Sequence, residues 1–324
     1  MRLRSRPLKD GRCIMSTVTQ DTVIRVPPGI WWVDTPIIWE GSGGHDNFSL
    51  IGDGPCSRIA LRGSATLTIK NMGRWNVSNL QIVKASGSPV IDHMLILDNA
   101  TWGNMHDVLL DGFGLAAGIA AIHCGGNKFS NLTILDVSGT AASIRGIGLW
   151  FDQRLGYLDN KIHNAILHPS SVAKGDSMLA VVGETAGFFL TNIDSNPPPG
   201  GWTIDIDGAG GIHRESQIVN VGTALASGNR GAIRVVGAEN INLTNIIVEG
   251  NGAVIGDHLA HLDCWAGKCM GWSFNNIHTL PGFDFFHPYK DRSVQFVGNT
   301  ATRCTLGNEF IYRTGLDEIA NRIL

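Results

Sequence analysis

With 324 residues, 41 of them Gly, 16% charged and 43% apolar, the chain is too poor in charge and too rich in core-forming residues to be disordered. A formal net charge of −3 offers no basic surface for nucleic acid, and no apolar run reaches the length of a membrane span. Six cysteines at 13, 56, 124, 264, 269 and 304 form no CxxC pair and no zinc-type Cys/His spacing, so neither a disulfide framework nor a bound metal is implied.

The first residues carry Arg2, Arg4, Arg6, Lys9 and Arg12 without the apolar stretch of a secretory signal, and Met15 opens a more ordinary start. Residues 1–22 are expected as a poorly ordered extension, 23–315 as one repeat domain, and 316–324 as a short C-terminal helix or cap. Strands open the domain at Val23–Val26, ahead of Pro27-Pro28-Gly29, at Ile37–Trp39, and at Phe48–Ile51 before the turn Gly52-Asp53-Gly54.

From there one phrase recurs, as in Val77-Ser78-Asn79-Leu80-Gln81-Ile82, Phe129-Ser130-Asn131-Leu132-Thr133-Ile134 and Leu243-Thr244-Asn245-Ile246. Its central residue is Asn, or Asp at 107. It stands at 79, 107, 131, 164, 192, 220, 245 and 276, a mean step of about 28 that marks a repeat architecture. The flanks alternate apolar and polar with the period of a strand. Asn tolerates the left-handed backbone of a sharp corner, and stacked Asn side chains would hydrogen-bond along a column.

A second row falls between the corners, including Leu95–Asp98, Leu149–Asp152, Leu179–Val182, Thr203–Asp207, Ile233–Val236 and His261–Trp265. With a strand on each side of every corner, this gives three strands per turn. The reading is all-β, a parallel β-helix of ten to eleven coils, forming a rod of about 50 Å at ~4.8 Å per coil. Longer turns at 168–177, 195–201, 221–231 and 249–260 would wall one side of the second row.

The Val26-Pro27-Pro28-Gly29 strand end, the aromatic strand with Trp31 and Trp32, and the Leu50–Gly54 turn carry a resemblance. They look like the opening coil of right-handed, single-stranded parallel β-helices of the pectate-lyase-like superfamily. That group includes polysaccharide lyases, polygalacturonase-like hydrolases and phage tailspikes. The resemblance implies a polysaccharide partner. The hydrolases' Asn-Thr-Asp, Gly-His-Gly and Arg-x-Lys signatures are absent, so it carries no catalytic residue over directly.

Alternation along the second row sorts its side chains. Leu95/Leu97, Ile122/Cys124, Leu149/Phe151, Ile204/Ile206, Ile233/Val235 and Leu262/Cys264 read as inward. Asp98, His123, Trp150, Asp152, Asp205, Asp207, Arg234, His261, Asp263, Trp265, His287 and Tyr289 then read as outward. Among these, Asp205, Asp207 and Asp263 are the candidate catalytic acids. Asp205 and Asp207 would lie about 6.8 Å apart at Cα, and Asp205 and Asp263 about 9.6 Å. Both are near the spacing of paired carboxyls in inverting glycosidases. Substrate contacts are assigned to Trp150, Asp152, Arg234, His261, Trp265, His287 and Tyr289, the indoles stacking on pyranose faces and Arg234 gripping an acidic sugar. The plain alternative is a wetted face of cross-strand ion pairs.

The expected activity is cleavage of glycosidic bonds in a groove on the outer face, by a hydrolase or a lyase; as a hydrolase it would need no cofactor, with Asp205 and Asp263 as the acid/base pair and Asp207 assisting. A lyase would instead use Arg234 as base with calcium on the acids. The alternative class is a non-catalytic glycan-binding or adhesive spike, for which a homotrimer and a virion-associated or extracellular setting would be expected. A small-molecule enzyme on a borrowed scaffold is a third reading.

Overall fold

The computed structural model describes residues 16–17, 22–42, 46–140, 145–154, 157–183, 185–208, 213–226, 229–236, 238–239, 241–250, 258–263, 272–279, 294–297, 300–301, 316–319 and 322–323. The chain is an all-β parallel solenoid of roughly 28 residues per turn, with no helix among the described residues. One ten-stranded sheet, here the front sheet, collects the second row of the sequence. Its strands follow chain order through Ile91–Asp98, Ala116–Ile122, Gly146–Asp152, Ser177–Val182, Trp202–Asp207, Gly231–Val236 and His258–Asp263. Neighbours pair parallel and in register, so Leu95, Ile119, Leu149, Leu179, Ile204 and Ile233 form one inward column. All six are at most 2% exposed. Burying such columns drives the winding, because no single coil can cover its own apolar face.

The remaining two walls are single long strands bent once. Lys128–Val137, for example, runs straight through Asn131. The bend is a left-handed residue, with φ of 56° at Asn79 and Asp107, 51° at Asn131, 55° at Asn164, 57° at Asn192, 56° at Asn220 and 54° at Asn245. Seven such corners stand among the described residues, and the front sheet stacks ten strands, one per coil, against the ten to eleven coils expected. Asn is among the few non-Gly residues that adopt this conformation readily, which is why the sequence phrase is so regular.

The corner amides form a ladder with one polarity. Asn245 donates to Asn220 at 2.9 Å, Asn220 to Asn192 at 2.9 Å, Asn192 to Asn164 at 2.9 Å, and Asn164 to Asn131 at 3.2 Å. Asn131 then donates to Asp107 Oδ1 at 3.0 Å, and His106 Nδ1 lies 2.8 Å from Asp107 Oδ2. A carboxylate only accepts, so Asp107 is the natural end of a column whose N–H groups all point the same way. Outside the ladder the two arms enclose a shallow trough of about 490 Å3, lined by Asn164, Ile166, Asn192 and Asp194 among others.

The hydrogen bonds from His106 and Asn131 hold the Asp107 carboxyl below the usual carboxylate range. A depressed folded pKa means the stabilisation is present above the unfolded value and lost as pH falls through the folded one. Asp107→Asn should therefore remove that contribution, lowering stability modestly at pH 7 and flattening the acid side of the profile below about pH 4. Urea unfolding at a series of pH values checks this; an acid limb as steep as wild type refutes it.

A second, shorter ladder stands at the exit of the front sheet and is not apparent in the repeat phrase. Asn99 donates to Asn71 at 3.0 Å, and Asn71 to Glu40 at 3.1 Å, again ending on a carboxylate. Asn71, Asn99 and His123 all have φ near 50° there.

Three expectations are corrected. Ile122 pairs with Asp98 and Asp152 and so belongs to the outward column, while Ala121 takes the inward place beside Leu97 and Phe151. Cys124 is buried as expected, but it gets there by the left-handed turn at His123 and not by strand alternation. The segment expected as a C-terminal helix forms strands Leu316–Ile319 and Arg322–Ile323, paired with Val294–Val297 and Thr300–Ala301. A parallel edge offers unpaired backbone groups, and a helix of that length is marginal alone. At the other end, Ser16–Thr17 already pairs with Trp39–Glu40 inside the presumed extension.

Candidate active site on the outer face of the front sheet

Strand register fixes which outward residues are neighbours. One column runs Ala120, Trp150, Ala180, Asp205, Arg234, His261; the next runs Ile122, Asp152, Val182, Asp207, Val236, Asp263. Asp205, Arg234 and His261 therefore occupy successive rungs, as the alternation predicted. Asp263 lies in line with Asp207, two rungs or about 9.6 Å away at Cα, so its distance to Asp205 is a diagonal of about 12 Å. Trp265, His287 and Tyr289 lie outside the described residues.

The acids at 205 and 207 are held by two arginines. Arg234 Nη1 is 2.6 Å from Asp205 Oδ1 and 3.4 Å from Asp207 Oδ2. Arg145 Nη2 is 2.7 Å from Asp207 Oδ2 and 3.4 Å from Asp205 Oδ2. Sharing that nitrogen limits the two Oδ2 atoms to at most 6.1 Å, the span of the 2.7 and 3.4 Å contacts together. This is closer than the roughly 6.5–9.5 Å of inverting pairs. Asp205 is 2% exposed while the Asp207 side chain is 19% exposed, so Asp207 is the more accessible of the two acids. Burial pushes the Asp205 carboxyl above its ordinary range, against the pull of Arg234 and Arg145.

Arg145 was not among the sequence candidates. It precedes Gly146, and its guanidinium crosses the strand Ser177–Val182 to reach acids two rungs away. Its backbone is anchored on both sides: Ser177 Oγ donates to the Arg145 carbonyl, and His93 Nε2 lies 3.4 Å from the Gly146 carbonyl. Burial drives the His93 pKa down to about 4, so its ring is neutral at pH 7 and can donate only from one nitrogen. The same ring packs on Trp150 with centroids 5.6 Å apart. Trp150 is thus half-buried among front-face side chains, and its buried indole N–H has no hydrogen-bond partner among the described residues.

Asp152 is a different case. Arg154 grips both of its oxygens, through Nε at 2.8 Å to Oδ1 and through Nη2 to Oδ2. Burial raises the Asp152 pKa, but the Arg154 fork and nearby His123 outweigh it and hold the group below the usual carboxylate range. The Asp-x-Arg spacing was legible in the sequence. Among the described residues no group of three His, Cys, Asp or Glu side chains is placed to hold a metal ion.

The chain matches no protein-family model, and no curated protein sequence matches it. Solved structures do match. The catalytic domain of a GH87 alpha-1,3-glucanase in complex with nigerose is 13% identical with a TM-score of 0.52, covering 86% of this chain and 54% of that one. A point variant of that glucanase domain superposes at TM-score 0.54 and 11% identity, over 93% of this chain and 64% of that one. The enzymatically active domain of tailspike protein 2 from bacteriophage CBA120 superposes at 0.52 and 11% identity, over 86% and 43%. The chain spans less than two thirds of each. At these identities the shared property is the fold: this is a parallel β-helix of the kind those proteins use.

Proposed function

We propose that the chain is a carbohydrate-active enzyme that cleaves glycosidic bonds of a polysaccharide on the outer face of the front sheet. The observation that carries this reading is the set of two acids and two arginines built on adjacent rungs of that face. The kind of proteins that share the fold, a glucanase and a tailspike enzymatic domain, supports the same class. In this proposal Asp207 and Asp263, two rungs apart in one column and so about 9.6 Å apart at Cα, form the catalytic pair. Asp207, facing two guanidiniums, is the carboxylate that takes the proton from water. Asp263 supplies the proton to the leaving oxygen. Asp205 holds Arg234 and Arg145 in place, and Trp150, Arg234 and His261 contact the glycan.

The calcium-dependent lyase is the weaker variant. Both Asp205 oxygens and Asp207 Oδ2 already face guanidinium groups, a donor set that repels a further cation. The same closure of Asp205 favours the second reading, a binding spike in which the cluster is structural, and a homotrimer would fit it. The deciding assay measures release of reducing ends from a panel of polysaccharides. Asp207→Asn and Asp263→Asn should each lower turnover by about 10²–10⁴-fold with the unfolding midpoint held within a few degrees. Unchanged turnover in both removes the pair, and glycan binding without any cleavage, in a trimer by sedimentation, selects the spike.

A further inference from the structure

Away from the acid cluster, at the corner that leaves the front sheet after Ile91–Asp98, the indole of Trp102 is 71% exposed. Its backbone is left-handed, with φ of 52°. For a bulky residue this is an outlier that surrounding structure must enforce. The enforcement is visible. Four consecutive N–H groups are engaged: Ala100 by Cys124 Sγ at 3.4 Å, Thr101 by the Met72 carbonyl at 2.9 Å, Trp102 by the Gly125 carbonyl at 2.9 Å, and Gly103 by Asn127 Oδ1 at 2.8 Å. The fully buried Asn127 also donates back to the Ala100 carbonyl at 3.0 Å. A glycine floor lies under the ring: a Cβ at Gly126 would meet the Trp102 ring 2.6 Å away.

The turn is thus rigid, hydrogen-bonded throughout, and strained at the one residue whose large apolar side chain it leaves in water. Core packing does not account for this, since an indole lying on backbone with its other face open buries little. A fixed, flat, half-open indole is what the apolar C–H face of a pyranose stacks on, because neither partner loses freedom on contact. Polar groups for the ring hydroxyls stand three residues away on the exposed Asn99 amide. We propose that Trp102 is a carbohydrate-stacking platform, a glycan subsite separate from the acids and resting on the carbohydrate reading of the chain. Four rungs separate its coil from that of Asp205, about 19 Å along the axis. The ligand is therefore an oligosaccharide or polymer, not a single sugar.

The test is Trp102→Gly, which suits the left-handed backbone and so should fold at least as well as wild type. The probes are α-1,3-gluco-, cello- and mannurono-hexasaccharides. Expected is iodide quenching of a Trp102 signal, obtained as the difference between wild type and variant, that at least one hexasaccharide suppresses. The variant should bind that sugar about tenfold or more weakly, with an unchanged or higher midpoint of thermal unfolding. If no hexasaccharide shields Trp102, or if both proteins bind alike, the platform is overturned. A lower unfolding midpoint with equal affinity would make Trp102 a mere cover for Gly126 and overturn it as well. Equal affinity in Trp102→Gly with cleavage lost in Asp207→Asn sinks the platform alone, whereas shielding without cleavage sinks only the enzyme.

Discussion

Asp205→Ala should lower the free energy of unfolding by about 3–5 kcal/mol, because it leaves partly buried guanidiniums facing one acid instead of two. The carboxylate is 2% exposed and accepts from Arg234 and Arg145 at once. Removing one member of such a cluster is costly, but the intact cluster is not thereby a large net gain, since taking the charges out of water cost nearly as much. The double variant Asp205→Leu with Arg234→Met should accordingly recover most of the loss, with Arg145 still 2.7 Å from Asp207. A pH series separates the two statements. Burial raises the folded pKa of Asp205, so its contribution is fully present below the unfolded value near 4 and declines as pH climbs through the folded one. Asp205→Asn should lose that decline. Urea midpoints from pH 4 to 7 provide the measurement; a single variant as stable as wild type would mean the cluster is a solvated ornament of the surface.

Legibility in the sequence followed the physics of each feature. The corners were readable because a left-handed residue tolerates few side chains, so the same letter had to return at each turn. The columns of the front sheet were readable where strands alternate cleanly. At Ile122 they were not, because Ala116–Ile122 carries a register shift near Ala116/Ala117 and apolar residues on both faces. Its outward Ala120 is as buried as its inward Ala121, and alternation loses its signal when both sides are dry. Arg145 could not be found from spacing, since it lies in a turn and its partner is 62 residues away. Trp102 was hidden for another reason: exposure and a positive φ are properties of backbone geometry, and a Gly-Gly pair one coil later is no sign of an aromatic lying upon it. The acid cluster itself was legible as a set of residues on one face, but not as a set whose members differ in access to solvent.

Phe151→Ala should cost about 3–5 kcal/mol and, beyond that, divide the unfolding transition. Phe151 is fully buried and forms the middle of an aromatic chain through the core, edge-on to Phe129 with centroids 5.5 Å apart and to Phe188 at 5.1 Å. Phe129 continues to Trp75 at 6.1 Å. The chain fits because the inward neighbours of Phe151 in its own column are the smaller Ala121 and Val181, so no other large ring competes for the axis. In a solenoid each coil touches only the coils beside it, so stability is a sum of coil and interface contributions. A cavity at Phe151 weakens the interfaces on both of its sides, and the coils before Phe129 and after Phe188 then unfold with less reference to each other. Denaturant melts should show a lower midpoint and a shallower slope than wild type, and native-state hydrogen exchange should find the two halves opening at different free energies. A single sharp transition with the wild-type slope would instead mean that the continuous backbone ladders, not the aromatic chain, carry the coupling along the rod.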